Sequence, residues 1–218
     1  MFAKDYAKHY ELFHHDKPYK KEIEFVYKWG GKPKRILDLG CGTAHYWKYY
    51  PKNVKLTGIE KSLAMVGLSR YQDRNYCGDV TEMGRGEPLT ALHPGFPNWW
   101  GPIDLATAIF DVIAYLGDND WWANLPLKKG GYFIFDLWDK DKIIREGFES
   151  RFKAVGNHTR VITLIYLDWK KVRLKIDVFD GKYYSEIHDM FLYDIEDILE
   201  FAGVDFDLVD IKRTGTWQ

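Results

Sequence analysis

Two glycines and two carboxylates in the first third of the chain are spaced to hold a nucleotide-sized ligand. In Arg35-Ile-Leu-Asp-Leu-Gly-Cys-Gly-Thr-Ala-His-Tyr46, the apolar run of Ile36, Leu37 and Leu39 reads as a strand covered on both faces. Gly40 and Gly42 then let the backbone turn sharply against a ligand before a short helix starts. About 20 positions past the turn, the segment Val54-Lys-Leu-Thr-Gly-Ile-Glu60 ends on an acid where α/β folds grip ribose hydroxyls, so Glu60 is read as the ribose ligand. A dinucleotide fingerprint needs a small residue three positions after its second glycine to seat a pyrophosphate, and His45 stands there instead. A carboxylate at Asp38 repels pyrophosphate and favours a cationic group, directly or through water.

The pattern Asp38-x-Gly40-x-Gly42-x-Ala44 resembles the first motif of class I S-adenosylmethionine-dependent methyltransferases, whose cofactor has no phosphate but carries an amino acid end and a sulfonium. Glu60-x-Ser62-x-x-Met65 is similar to the family's segment after the ribose acid, and Leu127-Lys-Lys-Gly130-Gly131 resembles its Leu-x-x-Gly-Gly strand. Asp79 and Val80 match the site where the family's acid accepts from the adenine amino group and the next backbone N–H reaches a ring nitrogen. The order Tyr6-x-x-x-Tyr10 and Lys17-x-Tyr19-x-x-Glu22 resembles the amino-terminal segment of the small-molecule group, which includes amino-sugar and glycine/sarcosine N-methyltransferases.

The resemblance implies a doubly wound, mostly parallel Rossmann-like α/β sheet and S-adenosyl-L-methionine as cofactor. It implies a cofactor site of Tyr19, Asp38, Gly40, Cys41, Gly42, Glu60, Lys61, Asp79, Val80 and Phe110, with no metal. The amides at the start of the helix after the glycine turn are expected to meet the methionine carboxylate. Methyl transfer is an in-line displacement at an already activated carbon, so the protein must supply alignment, a dry pocket and a neutral or anionic nucleophile. Tyr115, past the fourth strand, and His188, where a later insert returns, are the candidate proton acceptors. Packing for the tyrosine and a structural hydrogen bond for the histidine are the competing readings. Asp136 or Trp138 could also reach a substrate.

Enzymes of the family that act on base nitrogens or glutamine carry Asn/Asp-Pro-Pro-Tyr after the fourth strand, and Phe110-Asp111-Val112 stands in that place. The expected acceptor is therefore a small polar molecule methylated on nitrogen or oxygen. A protein or RNA acceptor and a non-catalytic cofactor-binding protein are the alternatives. A nicotinamide dehydrogenase is opposed by His45, Asp38 and the helical preface.

The elements that must position these residues follow from periodicity. A chain of 218 residues suits one α/β domain. Residues 1–30 read as two helices broken at Asp16-Lys-Pro18 and acting as a lid, 31–149 as the cofactor-binding core, 150–192 as an antiparallel insert, and 193–218 as a closing helix and strand. Residues 81–101 read as a long irregular connection and Asn119 to Leu125 as a short helix. In the insert, Val161 to Trp169, Val172 to Val178 and Tyr183 to Met190 alternate with period two around an Asp180-Gly181 hairpin, giving at least three strands. Asp205 to Lys212 is the last clear strand, and the family's final strand is either replaced by one from the insert or missing.

With 31 basic and 32 acidic residues the chain has no overall electrostatic footprint for nucleic acid. Its start carries charges where a signal peptide needs an apolar run, and no apolar stretch reaches the roughly 18 residues of a membrane span, so a cytoplasmic protein without membrane association is expected. Cys41 and Cys77 are expected as reduced thiols lining the pocket, and a homodimer through the insert is the expected assembly.

Overall fold

Arg35–Leu39 forms the central strand, β1, of the computed structural model, which describes residues 4–82, 102–117, 125–202, 207, 208 and 210. All but the first two residues of the expected irregular connection, the expected helix at 119–125 apart from its last residue, and most of the expected last strand lie outside the described residues. Beside β1 run β2 (Lys55–Glu60), β3 (Asn75–Cys77), β4 (Ile103–Ala108) and β5 (Leu127–Phe135), all parallel, in the order β3-β2-β1-β4-β5. The order reverses between β1 and β4, and the crevice at such a switch point is where open α/β sheets bind ligands. β5 ends the sheet among the described residues, and Lys128, Lys129, Gly130 and Tyr132 are exposed.

Helices cover both faces, as a doubly wound sheet requires. On one face α2 (Tyr19–Trp29) sets Tyr19, Ile23 and Val26 against Ile36, Leu56 and Leu105. On the other, Leu37, Leu39, Ile59 and Ala106 pack with Tyr193 and with Ile198 of the closing helix Ile195–Ala202. No helix among the described residues is long and apolar enough to cross a membrane.

The antiparallel part is a separate four-stranded meander of β6 (Phe148–Val155), β7 (His158–Asp168), β8 (Lys171–Phe179) and β9 (Tyr183–Phe191). It begins at Phe148 rather than at 150, and β6 was not anticipated as a strand. Among the described residues no strand of the insert joins the parallel sheet, so the idea that one substitutes for the family's final strand is corrected. The Asp180-Gly181 hairpin is present, with Gly181 at φ +92°.

The first helix, α1 (Lys4–Phe13), is more than a lid. Its Tyr6 and Phe13 are fully buried against Ile176 and Val178 of β8, making α1 part of the insert's own core. The Arg160 guanidinium, itself buried, donates to the Tyr6 hydroxyl at 3.1 Å and lies 3.1 Å from His14 Nε2. Burial and this guanidinium lower the His14 pKa to about 3, so its ring is neutral. Between Tyr6 and His14, Glu11 reaches His45 Nδ1 at 2.9 Å, tying α1 to the segment after the glycine turn.

Candidate active site

The site's first half is built by the loops after β1, β2 and β3. Gly40 holds φ +60°, and a Cβ there would come within 2.5 Å of Val112, so both the turn and its packing against the β4 loop require glycine. Gly42 donates its N–H to Glu60 Oε2 at 2.9 Å, while Ser62 donates to Glu60 Oε1 at 2.7 Å. The carboxylate is thereby fixed at the switch point, with lone pairs left on both oxygens for two further donors. Burial raises its pKa, and the two amides work against that rise. Ser62 also caps α3 (Leu63–Leu68) by accepting from Met65 N.

Asp79 accepts from Thr81 N at 3.0 Å and Thr81 Oγ1 at 2.8 Å, and pairs with Lys61 Nζ at 2.5 Å. Burial acts to raise its pKa, but Lys61 and Thr81 prevail and hold it below the usual value. Val80 opens a short 3₁₀ turn, Val80–Glu82, with its side chain in the core.

Three expectations change here. Asp38 does not face a ligand: its carboxylate accepts from Tyr46 OH at 2.7 Å, Trp47 Nε1 at 2.5 Å and Thr107 Oγ1 at 2.7 Å, and is 1% exposed. Burial raises its pKa to about 6 against those three donors. Asp38 thus braces β1, β4 and the segment after the glycine turn, and direct contact with a cation is excluded by this packing. Cys41 does not line a pocket either, since its buried Sγ donates to Asn75 Oδ1 at 3.0 Å while Asn75 Nδ2 holds Gly42 O at 3.0 Å. Cys77 is half-buried, and neither cysteine is in a disulfide. The helix expected after the turn is a 3₁₀ segment, His45–Tyr49, entered through Ala44 at φ +55°, which offers no α-helical N-terminus to a carboxylate. Its rings Tyr46 and Trp47 are drawn into the core, and Pro51 prevents extension.

The second half lies at the end of β4. Phe110 and Asp111 both have positive φ, +70° and +67°, a conformation that costs each non-glycine residue on the order of 1–3 kcal/mol and marks functional sites. Asp136, just past β5, holds this strained pair by accepting from Phe110 N at 2.9 Å and Asp111 N at 3.0 Å. Trp138 Nε1 donates to Asp111 Oδ1, and Asp111, Asp136, Trp138, Phe191 and Tyr193 line a small cavity. Burial and Asp136 raise the Asp111 pKa to about 7, and burial raises that of Asp136 as well.

Over this turn sits Lys17, its Nζ 3.4 Å from the Phe110 ring centroid and 3.9 Å from Glu22 Oε2. Glu22 is 3% exposed, and neither carboxylate oxygen has a hydrogen-bond partner among the described residues. Burial raises its pKa to about 7, with Lys17 opposing. Tyr19 stacks on Tyr46 and meets Phe110 edge-on at 5.6 Å. Tyr115, in the 3₁₀ turn Val112–Tyr115, meets His188 of β9 edge-to-face at 5.7 Å. His188 Nε2 lies 3.2 Å from Glu186 Oε2, and burial pushes the Tyr115 phenol well above its ordinary pKa.

The anticipated residues therefore divide. Gly40, Gly42, Glu60, Lys61, Asp79 and Val80 gather at the ends of β1 to β3, while past β4 Tyr19 of α2 meets Phe110 and Tyr115 meets His188 of β9. Lys17, Glu22 and Asp111 join the second group without having been anticipated there. The signal for Glu22 was present: it stands with Tyr19, Ile23 and Val26 at i, i+3, i+4 and i+7, a carboxylate inside an apolar stripe.

Among solved structures, a methyltransferase dependent on S-adenosylmethionine from Clostridium acetobutylicum superposes with a TM-score of 0.69 at 22% identity, covering 91% of this chain and 85% of that one. Streptomyces venezuelae DesVI gives 0.69 at 18%, covering 92% and 89%. CalS10, an amino pentose methyltransferase from Micromonospora echinaspora with its cofactor bound, gives 0.66 at 17%, covering 92% and 87%. This chain has the S-adenosylmethionine-dependent methyltransferase fold. No family model and no curated protein matches at the level of sequence, so the likeness is one of architecture. In this methyltransferase fold the glycine turn after β1 and the acid ending β2 share the switch-point crevice, which is where Gly42 and Glu60 are joined.

Proposed function

We propose that the protein transfers the methyl group of S-adenosylmethionine to the amine of a small polar molecule. The observation that carries this reading is the Gly42–Glu60–Ser62 cradle, a preorganised acceptor of two hydroxyls. Glu60 would take the ribose diol, Asp79 the adenine amino group and the Val80 amide a ring nitrogen, with Lys61 holding Asp79. The Gly40–Gly42 backbone would lie along the methionine end. Phe110 and Tyr19 would offer ring faces and edges to the sulfonium. Asp38 and Cys41 would act at one remove by fixing the turn.

When bound, the cofactor supplies a methyl group already activated for in-line displacement. The chain's own task is to align the acceptor, exclude water and remove a proton from an ammonium substrate. Glu22 and Asp111, with pKa values raised to about 7, are suited to take that proton near neutrality. Tyr115 keeps its proton and serves as an aligning donor, with His188 packed edge-on against it. The amino-sugar enzymes among the structural neighbours support an amine acceptor, although oxygen methylation would use the same alignment. Exposed Phe152 and Ile187 on the insert support pairing of two copies through that sheet, which sedimentation analysis would test.

Calorimetry tests the cofactor assignment. S-adenosylmethionine and its demethylated product should bind and NAD should bind far more weakly, because His45 is committed to Glu11 where a pyrophosphate would need a small residue. Tighter binding of NAD would reject it.

A further inference from the structure

A second cluster lies where α1 meets the turns of the insert. We propose that His9, His158 and Asp180 form a binding site for a divalent transition-metal ion, with zinc the best match, that pins the amino-terminal helix to the antiparallel sheet. One donor atom from each residue lies within 4.8 Å of the other two. The topology brings them together. Thr159 pairs with Phe179 across β7 and β8, so His158 and Asp180 lie next to each other just beyond that register, and His9 of α1 comes down on them.

The contacts of His9 show which of its nitrogens faces the cluster. Its Nδ1 lies 3.1 Å from the Asp5 carbonyl oxygen and 2.5 Å from the Tyr184 hydroxyl. Its Nε2 is turned toward Asp180, 3.1 Å from Oδ2. An imidazole nitrogen and a carboxylate oxygen facing each other at this spacing can share a cation. A histidine that ligates metal through one nitrogen while donating its other N–H to a backbone carbonyl is the usual supporting arrangement around such ions.

His158 supplies the third group. Its ring centroid is 5.0 Å from that of His9, and neither of its nitrogens bonds to a described residue. Two imidazoles and one carboxylate suit zinc and its neighbours rather than calcium or magnesium, which prefer oxygen. Tetrahedral bonds of about 2.0–2.1 Å put ligand atoms roughly 3.3 Å apart, close to the His9–Asp180 spacing, with water as the fourth ligand. The competing cation is Lys8, whose Nζ lies 3.8 Å from the same Asp180 oxygen. Lys8 is half-exposed and also pairs with Asp5 at 3.4 Å, so a metal would displace it toward solvent. Because α1 also carries Tyr6 and Tyr10, an ion here would tighten the helix that covers the reacting end.

The test uses the full chain stripped with a chelator and titrated with zinc, cobalt and magnesium by calorimetry and thermal melting. One zinc should bind per chain at least 100-fold more tightly than magnesium and raise the melting temperature. Cobalt should show the visible absorption of a tetrahedral nitrogen and oxygen site. His158→Ala and Asp180→Asn lie at turns and should keep the native circular dichroism while weakening zinc at least 10-fold and abolishing the thermal shift. Zinc that binds both variants as it binds the parent, or does not bind at all, overturns the proposal, as does a His9 Nε2 that remains protonated at saturating zinc.

Discussion

The two ends of the crevice are held in opposite ways. At the ends of β1 to β3 the carboxylate proposed for the ribose is oriented by backbone amides: Glu60 accepts from Gly42 and Ser62, and Gly40 is required by its φ and by Val112. At the end of β4 the carboxylates come from three separate segments: Glu22 lies beside Lys17 in the α2 region, Asp111 after β4 accepts from the Trp138 side chain, and Asp136 after β5 accepts from the strained Phe110–Asp111 backbone. Geometry fixed by backbone can be read from local spacing. Geometry assembled from distant side chains cannot, and it depends on burial to tune its groups.

That contrast predicts where mutations act. The largest effect should be on stability and come from the reacting end's cover: Phe13→Ala removes a fully buried ring between α1 and β8 and should cost about 3–5 kcal/mol in chemical denaturation. A loss under 1 kcal/mol would restore α1 to a detachable lid. Next, Glu60→Ala should weaken the cofactor at least ~10-fold, since each charge-assisted bond to a hydroxyl contributes roughly 1.5–3 kcal/mol and 1.4 kcal/mol is one decade. Calorimetry on the folded variant checks this, and unchanged affinity would remove Glu60 from the ribose.

A third prediction separates the ends by pH. The folded-state pKa of Glu22 is raised from 4.5 to about 7, so the folded chain holds a proton there that the unfolded chain releases. Its contribution is fully present below about 4.5 and is lost as pH rises through about 7. Glu22→Gln should therefore flatten the fall in stability across that window, as read by melting temperature against pH, and it should shift the lower limb of the turnover profile. Equal slopes in parent and variant would contradict the burial argument. The smallest effect should come from Tyr115→Phe. A phenol whose pKa is raised by burial keeps its proton, so turnover should fall only a few-fold, whereas a loss of ~100-fold would make that hydroxyl the proton acceptor.

How much was legible follows the same division. The apolar run at Ile36 to Leu39, the glycine pair and the acid ending β2 announce strand and turn because each is a local backbone requirement. The alternation in β8 and the Asp180-Gly181 turn marked the meander equally well. The strand β6 escaped notice because Phe148-Glu-Ser-Arg-Phe-Lys-Ala-Val155 alternates only weakly, with Ser150 and Ala154 among its uncharged positions, and pairing with β7 completes it. Asp38 was legible as a carboxylate beside the turn but not in its direction, which is set by Trp47, Tyr46 and Thr107, the last of these 69 positions away. Glu22 and Lys17 were visible as a motif, but nothing in their spacing says that they face Phe110 and Asp136 across the fold.

The central claim is that this crevice moves a methyl group from S-adenosylmethionine to a small amine. The most direct measurement is mass spectrometry of amino sugars, amino acids and other small amines incubated with the protein and cofactor labelled in its methyl carbon. The account predicts one labelled methyl on a small-molecule nitrogen, formed in step with the demethylated cofactor. Label found only in protein or RNA, or no product from a chain that binds the cofactor, would contradict it.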